Sequence, residues 1–523
     1  MRKKVFIMMS IMLVMVFEST MCFADNPIVQ TLYTADPAPM VHDGICYVYT
    51  THDEDTIVDN FYTMKDWRCY SSTDMVNWTD HGSPLSYNTF SWGQGDAWAG
   101  QVIYKDGKYY FYGPLTRKNS GGARVIGVAV SDSPTGPFTD PIGKPLIANN
   151  GAQDIDPSVF IDDDGQAYLY WGNGNLYYVK LNDDMISYSG RIVQVSPKPT
   201  NFTEGPWFYK RNNLYYMVYA GMGSGNEDIR YATSSSPTGP WDFKGTLMPA
   251  QNSFTNHPGV IDYEGNSYLF YHTGNLEGGG SYHRSVCVEQ FEYNSDGTIP
   301  SIPITKNGPD QIGNLDPYVK TEAETICWES GVETETCDEG GMNVGHIEDG
   351  DYIKVKGVEF GSGATSFDAR VASATSGGNI ELRLDSPTGT LVGTCAVSGT
   401  DGWQTWTTES CTVSGAEGIH DLYLKFTGDS GYLLNINWWK FTSSAVIEPT
   451  PTISPVGTLG DINSDGEVNS IDFGLLRMHL LGINPLEETG FTNADVNRNG
   501  NVDSIDFGLI RKYLLGMISD FTG

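Results

Sequence analysis

Three carboxylates stand in closely similar surroundings: Asp36 in Ala35-Asp36-Pro37, Asp156 in Asp154-Ile155-Asp156-Pro157, and Glu204 in Thr203-Glu204-Gly205-Pro206-Trp207. Carboxyl groups gathered in one confined space suit general acid and base chemistry. One can stay ionised and accept a proton, while another, crowded by like charge, keeps its proton near neutral pH and gives it away. Any one of them alone would more simply cap a turn or bind its own backbone. Three in the same setting ask for a fold that brings them together.

A repeat supplies that fold. Between Asp36 and His272 one unit recurs five times: a polar residue, a small residue or proline, an apolar strand, a turn and an aromatic strand. The units open at Asp36, Ala99, Asp156, Glu204 and His257, with spacings of 63, 57, 48 and 53 residues. Ala99 is the departure, since the others open on a polar residue. Such spacings suit four-stranded blades. The turn Ser133-Pro134-Thr135-Gly136-Pro137 also returns as Ser236-Pro237-Thr238-Gly239-Pro240. Five units predict a five-bladed β-propeller whose opening residues converge on one mouth of the central channel; the alternative is a β-sandwich with coincidental hairpins. Asp154 aligns with no other unit and is expected to be a decoy.

Composition agrees with a mostly β chain. Its 523 residues predict about three domains, and 60 glycines with 12 Trp, 30 Tyr and 22 Phe favour turn-rich sheet. Acids outnumber bases 64 to 31, a formal charge of −33, so no basic face is offered to nucleic acid. Arg2, Lys3 and Lys4 precede the apolar run Val5 to Phe17, and Cys22-Phe23-Ala24 offers a cleavage point. Residues 1–24 are thus expected to be an export signal, the run being shorter than the roughly 20 residues of a membrane span. A secreted, extracellular, monomeric protein with no membrane partner follows. Export sets the cysteines in an oxidising setting, where Cys395 with Cys411 is the first expected pair and Cys327 with Cys337 the second.

Residues 318–443 change to short alternating strands, which predicts a β-sandwich. Residues 444–457 form a Pro/Thr/Ser linker. In residues 458–520, Asp461-x-Asn463-x-Asp465-Gly466 with Asn469 and Asp472 returns 34 residues later as Asp495-x-Asn497-x-Asn499-Gly500 with Asp503 and Asp506. Oxygen ligands at alternating positions around a glycine turn are what calcium requires. Pro455, Gly457 and Gly460 forbid a helix before the first loop, so only exiting helices are expected, Ser470 to Leu481 and Ser504 to Leu515, ended by Gly482 and Gly516.

On these motifs, residues 25–315 resemble glycoside hydrolase family 43. The resemblance implies an inverting hydrolase of arabinose- or xylose-containing polysaccharide, with Asp36 as general base, Glu204 as general acid, and Asp156 raising the acid's pKa and orienting it. It further implies that His257 faces a channel calcium ion and that Arg284 binds substrate hydroxyls and a carboxylate. Trp98 would stack on a sugar or pack in the core. Glu322-Ala323-Glu324, Gly350-Asp351-Tyr352 and Gly402-Trp403-Gln404-Thr405-Trp406 resemble a family 6 carbohydrate-binding module, a jelly roll. Its sugar site would use Trp403 and Asn435, and its structural calcium Glu322, Glu324 and Asn437. His346 stands where that family has an aromatic residue. The duplicated loop-helix units resemble a type I dockerin, with Ser470, Ile471, Ser504 and Ile505 as the cohesin-recognition pairs. The expected activity is removal of α-L-arabinofuranosyl branches from arabinoxylan or arabinan on a cellulosome-type scaffold, with calcium and no organic cofactor. β-Xylosidase, both activities in one pocket, or a non-catalytic sugar-binding propeller are the alternatives.

Overall fold

A computed structural model of the protein describes residues 26–149, 154–222, 225–443, 459–463, 468–483, 485–486, 488–498, 500–514, 518 and 521. The expected export signal and linker, together with Asp465, Gly466, Asn499 and Gly516, lie outside the described residues. The chain divides into two compact units, one ending at Ser444 and the other beginning at Ala445.

In the first unit, each of the five repeats opens an antiparallel sheet. The opening strands are Tyr33–His42, Gln101–Lys105, Ser158–Ile161, Phe202–Arg211 and Gly259–Tyr263. They stand side by side: the first packs on the second and fifth, and the third on the second and fourth. The Trp207 indole N–H donates to Val260 O at 2.9 Å and joins the fourth to the fifth. The turns Asp43-Gly44, Asp106-Gly107 and Glu264-Gly265 have positive φ at both residues, which fits the right-handed twist of tight hairpins. The fifth sheet has only three strands of its own. Residues near the N-terminus extend it: Ile28 N–H donates to Val286 O and Thr34 N–H to Arg284 O, both at 2.9 Å. The ring is thereby latched without an open edge between its first and last sheets.

The sandwich has one sheet built on Ala364–Ser373 and Asn435–Ser443 and another on Tyr352–Gly361 and Gly418–Thr427, with an aliphatic and phenylalanine core between them. It is fixed to the ring by backbone pairing. Thr325–Ile326 adds to the first sheet beside Thr79 and Trp78, Asn77 and Lys356 exchange two hydrogen bonds of 2.8 and 2.9 Å, and Thr334 Oγ1 donates to Asp80 at 2.7 Å. None of the seven described cysteines is joined in a disulfide, so neither expected pair is formed. Cys395 and Cys411 nonetheless lie close together, one on each sheet.

The second unit holds helices α1 (Ser470–Leu480), α2 (Glu488–Ala494) and α3 (Ser504–Leu514). α2 corrects the expectation of exiting helices only, because it runs directly into Asp495. The glycines and prolines that forbid an entering helix precede the first loop alone. Ahead of the second, Asn493 anchors α2 by donating to Asp461 O and accepting from Gly460 N–H. Phe473 and Phe507, equivalent residues of the two repeats, stack with centroids 4.2 Å apart.

Candidate active site

Three backbone kinks aim the carboxylates. Asp36, Asp156 and Gly205 have φ of 53°, 58° and 58°, and proline follows each. In the first and fourth sheets the strand register slips at this point, between Ala35 and Ala38 and between Glu204 and Trp207. A left-handed aspartate costs about 1–2 kcal/mol and persists only where the surroundings hold it. The pattern also corrects the sequence alignment. The kink of the fourth repeat falls on Gly205, so Glu204 corresponds to Ala35 and Ile155, one residue earlier than expected. Glycine is needed there for a second reason, since an added Cβ would lie 3.0 Å from His257 Nδ1.

Asp36 is buried, and each of its oxygens accepts a hydrogen bond. Its Oδ2 accepts from Thr51 Oγ1 at 2.8 Å and its Oδ1 from Arg284 Nη1 at 3.0 Å. Its own N–H donates to His272 Nδ1 at 3.2 Å. That bond makes Nδ1 an acceptor and leaves the ring proton on Nε2, where Thr255 O accepts at 3.0 Å. Burial pushes the His272 pKa down to about 3 with help from Arg284, so the ring is neutral. Burial alone would raise Asp36, but Arg284 above all, with the Thr51 hydroxyl, outweighs it and holds the carboxyl below its ordinary value.

Glu204 is the opposite case. Burial first, and the Asp36 charge second, push it up to about 7 against the pull of Arg284, Arg124 and the Asn173 amide, which donates to Oε2. Asp156 is raised well above the carboxylate range by burial, then by Glu204 and Asp36. Its Oδ2 accepts the Gly205 N–H at 3.1 Å, so it grips the backbone beside Glu204. A fourth carboxylate escaped the sequence reading. Glu227, buried at the start of Glu227–Ser234, is pushed up to about 9 by burial and by Glu204. It accepts the Asn256 N–H at 3.0 Å. Only its place in the sheet reveals it, because it lies in no repeat motif.

Arg284 is 3% exposed. Nε and Nη2 bind Asp53 at 2.9 and 2.8 Å, and the Tyr62 ring covers the guanidinium at 4.5 Å. It therefore binds two carboxylates, which is the carboxylate contact expected of it. Trp98 is buried in the core with Arg124 over its face at 4.3 Å, so packing is its observed role. The rings left open beside it are Phe61 and Phe254, in a cluster with Tyr62 and Tyr282. His257 is buried against Gly205, and burial lowers its pKa, which leaves a neutral imidazole suited to a metal or a hydrogen bond. Asp154 accepts from Trp171 Nε1 at 3.0 Å and Asn149 N–H at 2.6 Å, as a structural residue should.

In the sandwich, Asn435 donates to Trp403 O at 2.9 Å and to Glu335 at 2.7 Å. Tyr432, half exposed, stands edge-on to Trp403 at 6.4 Å and to His346 at 5.5 Å. Glu324 is buried, with one oxygen lacking a hydrogen-bond partner, and burial raises its pKa well above the usual range. Pairing of Thr321–Glu322 with Trp439 and Trp438, and the Ala323 N–H bond to Asn437 O, bring Glu322 and Asn437 beside it. An orphaned carboxylate oxygen among such donors fits a calcium ion. In the small unit, Asp472 accepts from the N–H groups of Ile462, Asn463 and Asn469, and Asp506 from those of Asn497 and Asp503. In each repeat, N–H groups of the described residues thus converge on a buried carboxylate. Asn469 and Asp503 also cap α1 and α3. Ile471 and Ile505 are 57% and 58% exposed, so the expected recognition residues face solvent.

Comparison with known proteins matches each segment. The model for glycosyl hydrolases family 43 matches residues 24–299, that for carbohydrate binding module (family 6) residues 322–443, and that for the dockerin type I domain residues 459–515. An arabinoxylan arabinofuranohydrolase of Paenibacillus polymyxa is 36% identical over 477 residues, covering 80% of this chain and 74% of its own. One of Bacillus subtilis (strain 168) is 38% identical over 479 residues, covering 80% and 92%. A crystal structure of a family 43 arabinoxylan arabinofuranohydrolase from Bacillus subtilis, in complex with cellotetraose, superposes with a TM-score of 0.71 at 34% identity, covering 81% of this chain and 99% of that one.

Proposed function

The chain belongs to glycosyl hydrolases family 43, and from that premise we propose that it is a secreted, inverting α-L-arabinofuranosidase acting on arabinoxylan. The observation that carries the chemistry is the opposite tuning of two neighbouring carboxyls. Asp36 is held ionised by Arg284, and Glu204 keeps its proton to about pH 7.

In this reading the ring is a five-bladed propeller and Asp36 is the general base. It takes a proton from water as that water attacks the anomeric carbon. Glu204 gives its proton to the leaving oxygen on the other face, a geometry that needs roughly 6.5–9.5 Å between the two carboxyls. Asp156 orients the acid through Gly205 N–H. Elevation of the acid comes from burial and Asp36 more than from an Asp156 anion, since Asp156 is itself driven toward its neutral form. Calcium, where bound, would add fixed positive charge near His257 and between Glu322, Glu324 and Asn437. The dockerin would take calcium through its two loops and dock the enzyme onto a cohesin. Arabinose over xylose rests on the names of the relatives that span most of the chain.

Product analysis on aryl arabinofuranoside, aryl xyloside and arabinoxylan tests the reading, with Asp36→Ala and Glu204→Ala beside the parent. Release of arabinose by the parent, with its initial anomer inverted, and its loss in both variants are expected. Full activity in both variants would overturn the mechanism; release of xylose alone would favour a xylosidase.

A further inference from the structure

Two loops that build the active-site rim have a second face. Residues 54–65 carry Phe61 and Tyr62 to the rim, and residues 274–284 carry Tyr282 there and end at Arg284. On their other side, Asp55 and Glu277 line a cleft of about 980 Å³ between the ring of sheets and the sandwich. Tyr33, three residues before Asp36, lies in this wall. Its ring stacks on His283 with centroids 4.4 Å apart, and its hydroxyl donates to Glu277 O at 2.7 Å. The sandwich contributes Trp328, Glu329 and Tyr352 to the opposite wall. The two walls cannot drift apart, because the Thr325–Ile326 pairing and the Asn77–Lys356 bonds tie them together.

The chemistry of the cleft is selective. Half-buried tyrosine and tryptophan rings match the C–H faces of sugars. Carboxylates and amides accept and donate to hydroxyls. Asp55, Glu277 and Glu333 stand against a single lysine among the lining residues, Lys306, so an anionic chain is repelled. A volume near the upper end for ligand pockets suits an oligomeric ligand. Because the rim loops form one wall, a polymer whose branch enters the active site has its continuation within reach of the cleft. The geometry points to a second polysaccharide subsite here, binding an uncharged, unsubstituted stretch of xylan main chain. The inference rests on the reading that the substrate is a branched xylan.

The test uses the full chain, with Trp403→Ala in every protein so that the sandwich's own aromatic site is weakened throughout. Trp328→Ala removes a ring from the cleft, and Ser330→Trp fills the cleft from an exposed position. Each is expected to raise KM for arabinoxylan about five- to tenfold, the size of one lost aromatic contact, while KM for an aryl arabinofuranoside stays unchanged. Undecorated xylo-oligosaccharide should compete with the polymer, and polygalacturonate should not. A folded Ser330→Trp variant with unchanged polymer KM, or equal competition by polygalacturonate, overturns the proposal. If the parent fails to cleave the aryl arabinofuranoside, the activity reading falls. Calorimetric titration with xylo-oligosaccharide, with and without Ser330→Trp, then still decides the cleft: equal heats in both refute it.

Discussion

Arg284 Nη1 lies 3.0 Å from Asp36 Oδ1, and the same guanidinium holds both oxygens of Asp53. This buried cation offsets the desolvation of Asp36, so Asp36 is ionised at the pH where Glu204 is not. Arg284→Met should let the Asp36 pKa rise, moving the acid limb of the kcat/KM profile up by about one unit or more. Two carboxylates left without their cation should also cost about 3–5 kcal/mol of stability. Arg284→Lys keeps the charge and should shift the limb less. An unmoved acid limb in folded Arg284→Met would show that Asp36 is not the base.

With Glu204 as the proposed acid, its protonated form is the active one, and its pKa is about 7, so kcat/KM should fall tenfold per pH unit above that value. Folding raises this group from 4.5, so its stabilising contribution is present below about pH 4.5 and is lost as pH rises through 7. Glu204→Gln should lower kcat/KM by about 10²–10⁴ on arabinoxylan. It should cost far less on an aryl arabinofuranoside with an acidic phenol, which needs no proton to leave. An equal loss on both substrates would remove Glu204 from the acid's role.

Gly205 joins the acid to the channel histidine. Its φ of 58° and the 3.0 Å approach of His257 leave no room for a side chain. Gly205→Ala should therefore push His257 away or flatten the kink, displacing Glu204. A fall in kcat of about 10² with a loss of about 1–3 kcal/mol is expected. Activity assays beside thermal melts separate the two effects, and a fully active, stable variant would show that the kink is not needed.

The sequence made the repeat, the three carboxylates and the calcium loops visible because each is written as a short local motif. What stayed hidden depends on long-range closure. Glu227 and His272 reach the site through sheet pairing with partners in other segments, and no motif marks them. The offset of Glu204 against Asp36 was invisible because Asp-Pro and Glu-Gly-Pro align equally well by eye. Only the positive φ on Gly205 reveals which residue turns the strand. For Trp98 and Arg284 residue type alone left two roles open, and only packing shows Arg124 over the Trp98 ring and Tyr62 over the Arg284 guanidinium.

Calcium removal should act on the small unit first. Its buried core is slight, with Ile462, Leu476, Ala494, Val496 and Ile510 at the centre, and the fully buried Asp472 and Asp506 carboxylates lie within it. A core of that size needs metal to hold the loops closed. The two units report separately by circular dichroism. All 12 tryptophans precede residue 445, whereas every α-helix among the described residues lies after it. A chelator should therefore abolish the far-ultraviolet helical signal and cohesin binding together, while the near-ultraviolet tryptophan bands persist. Re-addition of calcium should restore both. Cohesin binding that survives chelation would mean that Ile471 and Ile505 are presented without the loops, against the part that the buried aspartates play in closing them.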